Sequence, residues 1–176
     1  MAPERLVFLD ESGAKTDLTR LYGRALGGAR VVDSAPHGHW CTTTMLSSIR
    51  LDGSMAAMVV EGPTDGDVFG VYVAQVLVAS LRPGDIVVMD NLAPHKMPKV
   101  VAAIEAAGAE VWFLPPYSPD LNPIEKMWAK VRAFLRRVRA RTKETLWRAI
   151  AAALRIVTAE DAKGWFRCCG YAHIQS

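Results

Sequence analysis

The chain has 176 residues, 51% hydrophobic and 22% charged, with 13 Gly and 10 Pro, which excludes a disordered tail or a fibrous protein and fits one globular domain. A domain of this length buries roughly 70% of the surface its unfolded chain exposes, so it needs neither metal nor disulfide to fold, and any metal it binds is functional. The formal charge of +3 hides a split: residues 1–125 carry 9 Lys and Arg against 15 Asp and Glu, a net −6, whereas residues 126–176 carry 12 basic and 3 acidic groups, a net +9, a balance that points to a polyanionic partner and to bound cations.

Leu6-Val7-Phe8-Leu9 is an apolar run stopping at Asp10-Glu11-Ser12-Gly13, the pattern of a buried strand ending in a polar turn, with Asp10 at its carboxyl end. Ala29–Ser34 is expected as a second strand and Trp40–Leu51 as a third, turned by Asp52-Gly53 into Met55–Val60. Residues 67–81 are apolar at 69, 72, 73, 76 and 77, a helical spacing closed by Pro83-Gly84. The Asp85–Asp90 segment repeats the pattern of a strand ending in Asp. A helix over Lys99–Ala107 stops at Gly108, and Val111–Leu114 is a further strand. Strands alternating with helices at this pitch predict parallel strands in an α/β sheet, fed by an antiparallel meander.

Residues 115–123 form a stiff loop, since each X-Pro step disfavours helix. Asn122 is then a good N-cap and Pro123 suits the first helical position. Ile124, Met127, Trp128, Val131, Leu135 and Val138 mark the apolar stripe of the helix that follows. Thr142 has Thr145, not Glu or Gln, three residues on, so no capping box is expected. Leu146–Val157 reads as another amphipathic helix. Without repeats or linkers, residues 1–176 read as one domain in which 142–176 is a basic helical C-terminal extension.

Three acids stand at special places: Asp10 and Asp90 at strand ends and Glu125 in the first turn of the long helix. Singly, each has a plainer reading as a turn, a cap or a favourable charge on the helix dipole. Together they carry more, because parallel strands deliver their carboxyl ends to one edge of the sheet. Converging carboxylates repel unless a cation neutralises them, and hard oxygen donors suit Mg²⁺ or Mn²⁺. Two such ions roughly 3.5–4 Å apart serve phosphoryl transfer.

The helix bearing Glu125 also carries Arg132, Arg136 and Arg139 at helical spacings, with Lys126, Lys130, Arg137, Arg141 and Lys143 nearby. Only Glu144 offsets the basic residues between 126 and 148, so intrahelical ion pairs do not account for them; this weakens the plain reading of a solvated surface helix beside that of a phosphate backbone lying along it. Asn91, His95 and Lys96, close behind Asp90, are candidates for positioning a phosphate or water. His37, His39 and Cys41 lack the spaced fourth ligand of a zinc site. Trp112, Trp128 and Trp147 fall on apolar faces and read as core. The cysteines Cys41, Cys168 and Cys169 are odd in number, without C-x-x-C spacing, which fits a reducing cytosolic setting. No apolar stretch approaches the roughly 18 residues of a membrane span, and no export signal opens the chain.

Phe8-Leu9-Asp10-Glu11-Ser12-Gly13, Val88 through Lys96, and Leu114-Pro115-Pro116-Tyr117-Ser118-Pro119-Asp120-Leu121-Asn122-Pro123-Ile124-Glu125-Lys126-Met127-Trp128 resemble the three blocks of a bacterial insertion-sequence transposase of the mariner-like superfamily. The 34 residues between Asp90 and Glu125 agree with its Asp-Asp-Glu branch. The resemblance implies a ribonuclease H-like fold, a mixed five-stranded sheet flanked by helices. It implies Asp10, Asp90 and Glu125 as a triad binding two Mg²⁺ (or Mn²⁺), hydrolysis at the element's end, and attack of the freed 3′-hydroxyl on target DNA without a covalent protein intermediate. The implied setting is a bacterial cytoplasm, on the nucleoid, with double-stranded DNA and a second copy in a synaptic homodimer as partners. Members of that group usually carry N-terminal helix-turn-helix modules, which this sequence lacks ahead of its first strand. A frameshifted upstream frame, truncation, or a separately encoded DNA-binding part are the expectations that follow. Two alternatives stay open: another ribonuclease H-like nuclease, and a silent DNA-binding remnant of a transposase.

Overall fold

A computed structural model describes residues 2–19, 22–32 and 42–171 of the chain. The first strand, β1 (Leu6–Lys15), runs six residues further than its apolar core predicts. Beyond Asp10 the residues alternate, with Ser12 and Ala14 buried and Gly13 and Lys15 exposed. This is the period-two pattern of a half-buried strand, so the polar run is no turn and Asp10 lies mid-strand. β1 pairs antiparallel with β2 (Thr42–Arg50) from Val7 to Lys15 but parallel with β4 (Ile86–Met89) only over Leu6–Phe8. β3 (Met55–Glu61) follows β2 through the expected Asp52-Gly53 turn, where Gly53 takes φ +82° and Arg50 and Ser54 close the hairpin. β5 (Glu110–Phe113) pairs parallel with β4, giving the strand order β3-β2-β1-β4-β5.

One face of this mixed sheet is covered by α1 (Gly66–Tyr72) and α2 (Pro98–Ala106), which bury Phe69, Tyr72, Val100 and Ile104 against Val7, Leu9, Val87 and Met89. The helix predicted over 67–81 is present but not regular: after α1 come a π turn over Val73–Leu77 and a 3₁₀ turn over Val78–Ser80. The opposite face receives α3 (Pro123–Val138), α4 (Lys143–Arg155) and α5 (Ala159–Cys168). Ile124, Met127, Trp128, Val131 and Leu135 of the predicted stripe are buried there with Leu6, Phe8, Leu146, Ile150 and Phe166. Phe8 meets Phe166 edge-on at 5.2 Å and Tyr171 at 4.9 Å, contacts of roughly 0.5–1.5 kcal/mol beyond area burial.

Several expectations are corrected. Residues 29–32 of the second predicted strand are exposed coil, and residues 33 and 34 lie outside the described residues. So do Trp40 and Cys41 of the third, and His37 and His39. Thr142 and Thr145 form a reciprocal capping box after all, because a threonine hydroxyl accepts the Thr142 N–H where a glutamate would otherwise reach back. Val138 is half-exposed, since α3 ends at once in Arg139, which takes the left-handed conformation at φ 55°. Of the three tryptophans read as core only Trp128 is buried. Trp112 stands 44% exposed on the edge strand β5, and Trp147 is 38% exposed with its indole N–H donating to Thr43. Helix α5 falls within the helical extension expected over 142–176, although its own bounds are not among those expected. Cys168 and Cys169 are both free thiols. Among the described residues no helix is long and apolar enough to cross a membrane.

Candidate active site

The change of pairing along β1 builds the site. Because β4 stops at Met89, Asp90 is the first residue past the sheet, and extending the parallel register Phe8↔Val88 by two residues brings Asp10 beside it. Alternation along β1 puts Asp10 on the same face as Leu6 and Phe8, the face covered by α3. Asn122 starts α3 under that edge, and Glu125 follows one turn in. All three acids therefore line one cavity of about 410 Å³, walled on the far side by Leu114 to Pro119.

Asp10 is 7% exposed and accepts the Glu11 N–H at 2.8 Å. Burial pushes its carboxyl up to about 7, with Glu125 and Asp90 adding to the rise against the Glu11 hydrogen bond. Asp90 behaves oppositely. Burial would raise it too, but donors from His95 and from the Leu92 N–H hold it below the usual carboxylate range. Glu125 is turned onto Arg132, whose guanidinium is 3.6 Å away and also donates to Ser12 Oγ at 3.2 Å. Among the described residues, no three His, Cys, Asp or Glu side chains stand close enough together to form a ligand set as they are.

The residues behind Asp90 divide by task. The Asn91 amide donates to the Leu114 carbonyl, tying the end of β4 to the end of β5. His95, expected as a candidate for positioning a phosphate or water, is fully buried. Its Nδ1 stands 2.5 Å from Asp90 Oδ1. Lys96 reaches over the Phe113 ring, 5.7 Å from its centroid.

The basic residues of α3 separate into two stripes. Arg132 and Arg136 share the Glu125 flank, with Arg139 just past the helix end. Lys126, Lys130 and Arg137 lie on the other flank, where Lys130 meets Asp161 of α5 at 2.5 Å. Arg141 donates to the Thr16 and Leu18 carbonyls. Two residues went unnoticed as site components in the sequence. Asn122 is buried against the cavity with its side-chain oxygen unpartnered, and Tyr117 stands fully exposed on the rim at φ 56°. A non-glycine residue at positive φ in a proline-rich loop costs backbone strain that the sequence does not advertise.

No curated protein matches this sequence. Among solved structures the chain resembles the pre-cleavage Mos1 transpososome (TM-score 0.75, 16% identity, 94% of this chain and 55% of that one). It also resembles the catalytic domain of Mos1 mariner transposase (TM-score 0.66, 17% identity, 94% and 81%). The catalytic core domain of BIV integrase is more distant (TM-score 0.53, 15% identity, 86% and 81%). The chain thus spans about half the length of the full Mos1 chain, and the architecture it shares with these domains is the ribonuclease H-like fold. The model of the DDE superfamily endonucleases matches residues 5–147, well over half of the sequence, and the chain belongs to that family.

Proposed function

We propose that this chain is the catalytic unit of a DNA transposase, cutting phosphodiester bonds at transposon ends and joining the freed 3′-hydroxyl to target DNA. One observation carries the reading: β1, β4 and α3 deliver Asp10, Asp90 and Glu125 to a single cavity. The donor set fits a hard divalent cation, being three carboxylates of which one, Asp10, is buried, makes no ion pair among the described residues and is pushed up to about 7. Mos1 paired-end complexes have been solved with Mg and with Mn, and by analogy Asp10, Asp90 and Glu125 are assigned here as the residues holding a pair of Mg²⁺ or Mn²⁺. When bound, such ions lower the pKa of an attacking water or hydroxyl and neutralise charge on the phosphodiester.

The chain's own residues supply the rest. Arg132 holds Glu125 within reach and, once Glu125 turns inward, is left beside the cavity as a phosphate partner. Lys126, Lys130, Arg136, Arg137 and Arg139 extend that charge along α3 as contacts to the DNA backbone, positioning the duplex without reading its bases. Strand transfer and end pairing are properties of the Mos1 complexes; here they are part of the proposal, with two copies of the chain acting on two ends. Helices α4 and α5 share the core with Phe8 and Ile124, which supports reading residues 1–176 as one catalytic domain.

The test is Mg²⁺-dependent nicking and strand transfer on labelled duplex carrying the inverted repeats that flank the gene, comparing the wild-type chain with Asp90→Asn. Cleavage lost in the variant, with an unchanged circular dichroism spectrum, is the expected outcome. Undiminished cleavage by Asp90→Asn would end the assignment.

A further inference from the structure

We propose that His95 is a positioning residue for Asp90, fixing the carboxylate so that one chosen oxygen faces the cavity; this rests on the reading of Asp90 as a metal-holding acid. His95 belongs to the 3₁₀ turn Ala93–Lys96 that follows β4, and its backbone N–H donates to the Leu92 carbonyl at 3.1 Å. The turn folds the imidazole back beneath Asp90, where it is 0% exposed. Nδ1 lies 2.5 Å from Asp90 Oδ1. An ionised carboxylate only accepts, so the positioning role requires the proton on Nδ1.

Asp90 Oδ1 also accepts the Leu92 N–H at 3.1 Å. The Leu92 N–H and the close Nδ1 both lie on Oδ1, and no hydrogen bond among the described residues engages Oδ2, the oxygen left for the cavity that Asp90 lines with Asp10 and Glu125. Asp90 needs this restraint because it stands past the end of β4 with 37% of its side chain exposed, whereas Asp10 is held inside a paired strand. The imidazole is itself fixed: its ring lies 4.4 Å from that of Phe69 on α1, tilted by 32°. Both ring nitrogens are buried without a hydrogen bond of standard geometry, and the 2.5 Å approach of Nδ1 to Asp90 is the imidazole's one close polar contact among the described residues. A buried histidine orienting a liganding carboxylate is the mirror of the carboxylate that orients a liganding histidine, and loss of such outer partners typically weakens metal affinity by about 10-fold to 100-fold.

Two variants of the full chain separate positioning from packing. His95→Phe keeps a ring against Phe69 but has no donor; His95→Asn loses the ring but offers an amide N–H near the place of Nδ1. The readout is Mn²⁺ affinity without DNA, from the paramagnetic resonance of free Mn²⁺, beside the thermal midpoint of the metal-free protein. His95→Phe is expected to weaken Mn²⁺ binding on the order of 10-fold, and His95→Asn to recover most of that loss even where its melting is the lower of the two. A folded His95→Phe with wild-type affinity would overturn the proposal, as would an Asn variant no better than Phe. Should the Phe variant not fold, long-range ¹⁵N–¹H spectra of the wild-type imidazole decide: the proton on Nδ1 is required, and a bare Nδ1 refutes it. Asp90→Asn separates the two levels of the argument. If it loses Mn²⁺ while His95→Phe does not, only the positioning role fails; if it keeps Mn²⁺ fully, the metal-holding reading fails and the proposal with it.

Discussion

Replacing Arg50 by Met tests how the sheet is clamped at the end opposite the acids. Arg50 closes β2 and Asp85 precedes β4, so this pair bridges the two neighbours of β1. Their side chains are 6% and 5% exposed. The guanidinium donates to both Asp85 oxygens, at 3.0 and 2.5 Å, and to the Ser80 carbonyl at 2.9 Å. Burial would raise the Asp85 carboxyl, but these bonds and the Arg82 N–H at 2.7 Å outweigh it and hold the group below its ordinary value. Removing Arg50 leaves a buried carboxylate with one backbone donor, a loss of about 3–5 kcal/mol, whereas Arg50→Met with Asp85→Leu removes both charges and recovers most of it. Urea unfolding at pH 7 measures both, and at roughly 2–4 °C per kcal/mol the single variant melts about 10 °C lower. The depressed carboxyl contributes stability that is present above its unfolded value of 3.8 and fades as pH falls through its lower folded value, so the gap between wild type and Asp85→Asn narrows in acid. A single variant within about 1 kcal/mol of wild type would show the pair to be dispensable and refute the reasoning.

Four further outcomes follow from the geometry. Thr142→Ala opens the capping box of α4 and is expected to cost about 1 kcal/mol in thermal or urea unfolding; no change would mean water satisfies those N–H groups equally well. Trp128→Ala is expected to cost about 3–5 kcal/mol, but Trp112→Ser less than about 0.5, since only the first is buried; equal losses in calorimetry would contradict the burial. Arg136→Ala with Arg137→Ala is expected to weaken binding to random-sequence duplex and to flatten the salt slope by roughly 2, measured by anisotropy between 50 and 200 mM salt. Lys130→Ala, removing the partner of Asp161 at the α3–α5 contact, is expected to lower stability by no more than about 1 kcal/mol, because both side chains keep access to water.

The element types were legible wherever periodicity was strong and local. The apolar runs at Leu6–Leu9 and Ile86–Met89, the Asp52-Gly53 turn and the stripe from Ile124 to Leu135 needed only neighbours in sequence to be read. Asp90 at a strand exit and Glu125 in a first helical turn were likewise legible, whereas Asp10 was legible as an acid but not as a mid-strand one, and the long block around Glu125 carried the family. Pairing was not legible. The sequence does not say that β2 runs beside Asp10 to Lys15 and turns an apparent loop into strand, since that depends on Thr- and Ser-rich residues some 30 positions away. Nor does it say that Trp112 lies on an unpaired edge, because exposure there depends on where the sheet stops.

What this sequence determines by itself is therefore chemistry in local register: which residues are acidic, which helix is basic and where the strongly periodic elements lie. The tertiary structure alone decided which of those groups meet. It turned His95 inward to Asp90, set Arg132 against Glu125 and Ser12, and split the basic helix between one flank beside the cavity and one against α5. The physical reason is that a side chain's partner is fixed by packing between elements distant in sequence, and an acid's protonation by the burial those elements impose, neither of which leaves a periodic mark in the chain.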